Sequence, residues 1–403
     1  MANIAIVGAG LLGRLMAWQL SLASNTHNNR HQISLYDKDA IDGRQSAAYT
    51  AAGLLTPYGE SLSCEPEIVA MGEAALTMWP KLLGELASPV DFQANGSICV
   101  SHSVDQGDYE RFTRHISHHY PQAQLQLLSK SELAQQAPAL AERFENGAYL
   151  QGEGCIDNHQ LLNALASALQ ENAVINWHAQ TQVLAVSPFQ VHTNSGIEQF
   201  DLVIDCRGIG ASAIYTQAGT NIGANTDANI EDQGALPMLR PVRGEVIRVH
   251  APDVEFSLPV RLMHPRYKLY IAPKANHEYV IGATEIESGA TGKVTVQSAL
   301  ELLSALYSLH PGFAEAQIIE QLSNSRPAFA DNRPQAISQA GLIQLNGLYR
   351  HGYLLAPVML AAGLHLVAQQ LNASSTSKPS NSAPPAFFEW LYVDGKNNPR
   401  AKQ

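Results

Sequence analysis

Cysteine is scarce: Cys64, Cys99, Cys155 and Cys206 are all there are in 403 residues, and no two of them have the two-residue spacing of zinc or dithiol motifs. That spacing excludes a paired-thiolate zinc motif and a Cys-x-x-Cys redox motif, and the density is far below that of a disulfide scaffold. Reduced, mostly buried thiols in a cytoplasmic protein are expected. Basic residues are in deficit, 25 Lys plus Arg against 36 Asp plus Glu, for a formal charge of -11. A surface of that balance suits no general polyanion, so nucleic acid is not an expected partner. No uncharged apolar stretch approaches the roughly 18–20 residues that span a bilayer, and membrane insertion is not expected. A strand pattern starts at Asn3, so no cleavable leader is expected. His115, His118 and His119 have roughly helical spacing but no adjacent carboxylate or cysteine, which reads as a solvated helix; no metal site is expected.

The length is enough for about two to three domains with a core that needs no staples. Ile4, Ala5, Ile6 and Val7 form an apolar run ending in Gly8, the pattern of a parallel strand buried on both faces. Residues 11–23 then have helical length and apolar spacing, and residues 33–37 read as the next strand. Helix is expected over 67–86 and 159–172, and Asn95-Gly96 within PVDFQANGSICVS signals a hairpin. Strands are expected near 181–187, 190–193 and 201–205, the last running into Arg207-Gly208-Ile209-Gly210. Residues 216–236 are rich in Gly, Asn, Asp and Thr and read as a loop. Alternating β-rich segments over 243–283 and a helix over 296–309 suggest a sheet-based second domain. A strand at 342–345 and a long apolar helix at 354–371 follow, and then a Ser/Pro linker at 372–385 ahead of an aromatic patch at 387–392 suited to docking back.

The sharpest motif is Gly8-Ala9-Gly10-Leu11-Leu12-Gly13, between a strand and a helix, with Asp37 ending the next strand 24 residues after Gly13. Gly8 permits the tight turn, Gly10 lets the backbone approach a pyrophosphate, and Gly13 allows helix to pack on strand. Amides opening the helix face the anion, and Asp37 would accept hydrogen bonds from the adenosine ribose. The motif alone does not separate FAD from NAD. Its place at the N-terminus, with a similar strand-to-glycine block about 200 residues on, favours FAD.

Several blocks carry a resemblance: GAGLLG at 8–13, TAAGLL at 50–55, PVRGEV at 241–246, LYIAPK and IGATEIE between 269 and 287, SRPAFADNRP at 325–334 and GLYRHGYLLAP at 347–357. In this order they resemble the FAD-dependent D-amino-acid oxidase and sarcosine oxidase superfamily, and within it the glycine oxidases of thiazole biosynthesis. The resemblance implies an α/β fold: a discontinuous Rossmann-like FAD domain over 1–88, 148–235 and 323–372, and a β-rich substrate domain over 89–147 and 236–322. Residues 373–403 would be a tail. It also implies that Gly8, Gly10, Leu12, Gly13, Asp37 and Lys38 hold the adenosine and pyrophosphate, and that Ser46, Ala51, Ala52, Gly53 and Leu54 lie along the flavin. Val183 matches a backbone contact to adenine, Gly208 a turn near the ribityl chain, and Arg350, His351, Gly352, Tyr353 and Leu354 a segment below the pyrimidine ring.

For the substrate, Arg326 matches the family arginine that binds a carboxylate, a task suited to the bidentate guanidinium fork. Tyr270 matches a tyrosine that adds a hydrogen bond to the same carboxylate, and Arg350 could approach the substrate or act through its backbone. A structural ion pair for Arg326 and a packed strand tyrosine for Tyr270 remain the plain alternatives. Glu285 stands where another branch member has methionine, which would make the pocket more polar unless it turns away. No cysteine lies between Arg326 and Leu354, so FAD is expected to be noncovalent. The implied activity is oxidative deamination of glycine, sarcosine or small D-amino acids by molecular oxygen, giving keto acid, ammonia and hydrogen peroxide. Its rivals are a dehydrogenase passing electrons to a quinone and a flavoprotein subunit without turnover of its own. Self-association is compatible with each.

Overall fold

The computed structural model describes residues 1–26, 31–212, 236, 239–264, 269–290, 292–373 and 383–395. The loop expected over 216–236, apart from its last residue, and most of the Ser/Pro linker lie outside the described residues. The chain divides into two compact units, Met1–Tyr49 with Leu162–Val242 and Ser325–Gln403, and Thr50–Leu161 with Arg243–Asn324. Residues 50–88 and 148–161, expected with the cofactor domain, cluster with the second unit. One cause is a small sheet in which Gly154–Ile156 pairs with both Leu54–Leu55 and Phe92–Gln93.

The first unit is built on a seven-stranded sheet in the order Tyr392–Asp394, Gln335–Gln339, Leu342–Asn346, Leu202–Asp205, Asn3–Val7, Gln32–Tyr36, Ile175–His178. The strands from Leu342–Asn346 to Ile175–His178 run parallel, and Gln335–Gln339 is antiparallel to its neighbour Leu342–Asn346. Apolar residues occupy both faces of Asn3–Val7, as a central parallel strand requires. Ala5 and Val7 join Val203 and Leu342 in a cluster with Val183, Val186 and Val191 of a three-stranded antiparallel sheet. By alternation Ile4 and Ile6 face the other side.

The helix Leu11–Thr26 and the helix Gly352–Ala373 meet near Gly363, where a Cβ would lie 3.0 Å from Met16 Sδ and 2.7 Å from Leu345 Cδ1. The stretch Tyr349–Asn372 is long and apolar enough to cross a membrane by length and composition, contrary to the sequence expectation. Most of it is buried in this unit, and a helix apolar around its circumference is what a core position demands. The aromatic patch does dock. Tyr392–Asp394 adds a parallel edge strand to Gln335–Gln339, and Trp390 lies under the Arg333 guanidinium, 4.2 Å from ring centroid to Cζ.

The second unit is organised by a nine-stranded mixed sheet. Its long strand Arg240–His250 pairs with Glu278–Gly282, which pairs with Leu269–Lys274 and so on through Val260–Met263 to Ser97–Ser101 and Asn146–Leu150. One face is covered by the helix Val296–Leu309, with Leu302, Leu306 and Leu309 against Ile98, Ile247, Ile271 and Ile281. Cys99 points the other way, into a cluster with Val69, Tyr109, Phe112 and Ile116. The helix Gln106–His119 carries the three histidines, with His118 and His119 exposed and His115 half-buried. Asn95-Gly96 is not a hairpin turn, because Phe92–Gln93 and Ser97–Ser101 join different sheets. Gly96, at φ +104°, instead lets the chain pass under Tyr149, whose ring a Cβ would meet at 2.3 Å, and its amide donates to the Glu153 carbonyl.

The Glu153 carboxyl group is fully buried in this unit. It accepts from Ser97 Oγ at 2.5 Å and from the Gly59 amide at 2.6 Å, with the Arg261–Glu60 ion pair nearby. Burial pushes its pKa up to about 7, against the opposing pull of Ser97 and Arg261. The folded protein therefore holds a proton that the unfolded chain releases near pH 4.5, and this contribution is full below that pH and lost as pH rises through about 7. The loss is on the order of 3 kcal/mol. Urea unfolding measured between pH 4.5 and 7.5 should show the corresponding decline, and Glu153→Gln should flatten it; an unaltered slope in the variant would assign the decline to other groups.

Candidate active site

Glycine geometry at the start of the first unit sets the site. Gly8 has φ +97°, and a Cβ there would meet the Cys206 carbonyl at 2.6 Å. At Gly13 a Cβ would lie 1.8 Å from the Gly8 carbonyl, so the first turn of Leu11–Thr26 sits on the end of the strand with no space between them. Gly10 differs: a substituent there meets nothing within 4 Å. Asp37 follows the strand Gln32–Tyr36 and accepts from the Ala9 amide through Oδ2 and from the Asp39 amide through Oδ1. Burial raises its pKa, while those two amides and Arg14 pull it down. Leu12 is buried and Lys38 exposed. Ser46 opens the short helix Ala47–Thr50, its Oγ accepting from the Tyr49 amide at 3.1 Å.

Arg14 was not singled out by the sequence reading, yet it ties this corner together. It has no exposed surface. Its guanidinium donates to the carbonyls of Ala9 at 2.8 Å and of Leu162 and Ile41 at 2.7 Å, and stacks on Trp177. A buried cation needs such partners, and burial still pulls its pKa down against the attraction of Asp37. The usable signal was a charge on the apolar face of a helix that opens a glycine motif.

The remaining first-unit residues fall on three segments. Val183 is buried at the head of Val183–Ser187, where the pairing register shifts. Gly208 has φ +57° and its carbonyl accepts from Asn346 Nδ2 at 2.9 Å, which joins the turn after Leu202–Asp205 to the end of Leu342–Asn346. Arg326 is half-buried near the end of the strand Gln317–Ala328. Ala328, on the same strand face by period-two alternation, packs with Val242 and Tyr349, the residue before Arg350. The structure thus brings the Arg326 and Arg350 segments to one cluster. Beyond them His351, Tyr353 and Leu354 are buried, Tyr353 Oη donates to the Ala48 carbonyl at 3.0 Å, and Gly352 opens the helix with nothing within 4 Å of a Cβ.

In the second unit, Tyr270, Ala272 and Lys274 share one face of Leu269–Lys274. Ala52, Val246, Ala272 and Val280 form a cluster against which Leu54 and Tyr270 pack. Gly282, opposite Tyr270, supplies the space for its phenol: a Cβ would lie 3.0 Å from Oη. Gly53, at φ +70°, abuts the Ile156 carbonyl and is closed to any side chain. Glu285 is exposed, beyond the strand Glu278–Gly282. Among the described residues no group of three or more His, Cys, Asp or Glu side chains is disposed to hold a metal ion.

A family model described as FAD dependent oxidoreductase matches residues 3–364. The chain belongs to that family. A Rhizobium etli protein bearing the name thiamine biosynthesis oxidoreductase ThiO is 33% identical over 89% of this chain and 94% of its own length. The glycine oxidase of Geobacillus kaustophilus is 25% identical over 88% of this chain and 90% of its own. The crystal structure of glycine oxidase from Geobacillus kaustophilus superposes with a TM-score of 0.72 at 23% identity, covering 96% of this chain and 98% of that one. The fold is therefore that of the D-amino-acid oxidase type, an FAD-binding domain with a β-rich domain, and FAD is the cofactor of an oxidoreductase.

The first unit fits a dinucleotide on its own geometry. Gly10 and Gly352, each at the start of a long helix, leave open the space that a side chain would fill, whereas Gly8 and Gly13 are closed by backbone. Gly10→Val should accordingly leave the Tm of the apoprotein near that of the parent and weaken FAD binding at least about tenfold. Gly13→Ala should lower the stability of the apoprotein by about 2–3 kcal/mol. Calorimetry and FAD fluorescence titration separate the two, and equal FAD affinity in Gly10→Val and the parent would remove Gly10 from the site.

Proposed function

We propose that the chain catalyses oxidative deamination of glycine and other small primary and secondary amino acids, using noncovalent FAD and molecular oxygen and serving thiazole formation in thiamine biosynthesis. The observation that carries this reading is the match to proteins named for glycine oxidation and thiamine biosynthesis over nearly their whole length. For glycine, one amino acid with oxygen and water gives glyoxylate, ammonia and hydrogen peroxide.

FAD, when bound, supplies the two-electron acceptor, and the protein's task is to bind and orient. Arg326 holds the substrate carboxylate through a charge-assisted fork, and Tyr270 donates from its hydroxyl. Gly8, Gly10, Leu12, Gly13, Asp37, Lys38, Ser46, Val183 and Gly208 hold the adenosine, pyrophosphate and ribityl parts, with Ala51, Ala52, Gly53 and Leu54 along the flavin. The amides at Gly352, Tyr353 and Leu354, at the positive end of a 22-residue helix, suit negative charge on the flavin ring. Arg350 adds a cation beside that helix start. The exposure of Glu285 favours a pocket without its carboxylate.

Purified protein should release peroxide in step with glycine consumed, read by oxygen uptake with a coupled peroxide assay. Dye reduction without oxygen uptake would move the assignment to a dehydrogenase. Arg326→Ala should raise the apparent KM for glycine roughly 100-fold, the equivalent of about 3 kcal/mol, and Tyr270→Phe about tenfold. Unchanged kinetics in Arg326→Ala would take the guanidinium out of the substrate site.

A further inference from the structure

Lys274 has no part in the chemistry so far, yet its side chain is buried, and its ammonium donates to the Ala52 carbonyl at 2.8 Å and the Ile156 carbonyl at 2.7 Å. Both acceptors belong to the small sheet around Gly53: the Ile156 amide donates back to the Gly53 carbonyl, and Leu54 pairs with Cys155. The cation therefore clamps two chain segments where they cross. Burial lowers its pKa, opposed by Cys155, Asp157 and Asp91.

The clamp has a directional consequence. A peptide is planar and trans, so its carbonyl and its N–H point opposite ways. With the Ala52 carbonyl turned to Lys274, the Gly53 N–H must point away from it. Gly53 is buried, and its amide makes no hydrogen bond among the described residues. A buried donor left unmatched costs roughly 1–3 kcal/mol, so a peptide free to turn would turn it towards an acceptor. Lys274 prevents this by holding the carbonyl end.

We propose that Lys274 is a positioning residue for the cofactor, fixing the peptide between Ala52 and Gly53 so that the Gly53 amide is presented to an acceptor atom of the flavin. The proposal rests on the reading that residues 51–54 lie along the flavin ring. Tyr270 stands two pleats away on the same strand face, so one rigid strand sets both the flavin-facing amide and a substrate donor.

The test compares the parent holoenzyme with Lys274→Met, which removes charge and donors, and Lys274→Gln, which keeps amide donors on a shorter, neutral chain. FAD affinity is read by fluorescence titration, the visible flavin spectrum by absorbance, and the Tm is followed for each apoprotein. Lys274→Met should bind FAD at least tenfold more weakly and show a shifted flavin spectrum, and Lys274→Gln should fall between it and the parent. A purely structural lysine would lower Tm and leave the spectrum of the bound flavin that of the parent, which overturns the proposal. If Lys274→Met does not fold, Lys274→Gln decides: parental FAD affinity and spectrum in that variant overturn the role. A parent protein that binds no FAD would instead remove the underlying reading.

Discussion

The contact between Gly13 and the Gly8 carbonyl, too close for any side chain, fixes where the first helix begins relative to the first strand. Much of the cofactor side follows from it. The helix start points its unpaired amides across Gly10 into open space, and the same tight turn carries the Ala9 amide to the Asp37 carboxylate. A strand end, a helix start and an acid from the next strand are thus locked by backbone contacts, the Asp37 carboxylate and a buried arginine. Such a cradle costs little reordering when an anion arrives, since its donors are already aimed.

The parts legible in the sequence were those set by local pattern. The run Ile4 to Val7, the glycine spacing and the helix Val296–Leu309 announce themselves through periodicity and backbone demands that act within a few residues. What failed was decided at long range. Asn95-Gly96 has the composition of a hairpin turn, but its two flanks find better partners in separate sheets, and Gly96 is needed under the Tyr149 ring. The helix expected at 354–371 is present as Gly352–Ala373; what was missed is that, with its Gly and His counted in, it is apolar over a membrane-spanning length.

The same division runs through the candidate site. The tight turn at Gly8, the helix-on-strand contact at Gly13 and the acid after the second strand at Asp37 were readable because each depends on neighbours in sequence or at a known spacing. Arg14 and Lys274 were not, because what defines them is the set of carbonyls they reach, from Ala9 to Leu162 and from Ala52 to Ile156. A charged side chain in an apolar setting looks like an error in sequence and is resolved only by its partners. Both cations hold backbone carbonyls of segments far apart in the sequence.

Glu153 shows why a perturbed acid is a poor guide to chemistry in this fold. With a pKa raised to about 7 it has the profile of a general acid, and such profiles do cluster at active sites. Yet both its oxygens are used internally, by Ser97 and Gly59, and its neighbour Glu60 is paired to Arg261. Its protonation is linked to stability. An oxidation delegated to a flavin needs donors that grip a carboxylate and amides that face a ring, and little acid–base machinery. On the proposed reading those donors are arginines, a tyrosine and backbone N–H groups, while the Glu153 carboxyl accepts from the Gly59 amide within the helix Pro57–Glu60.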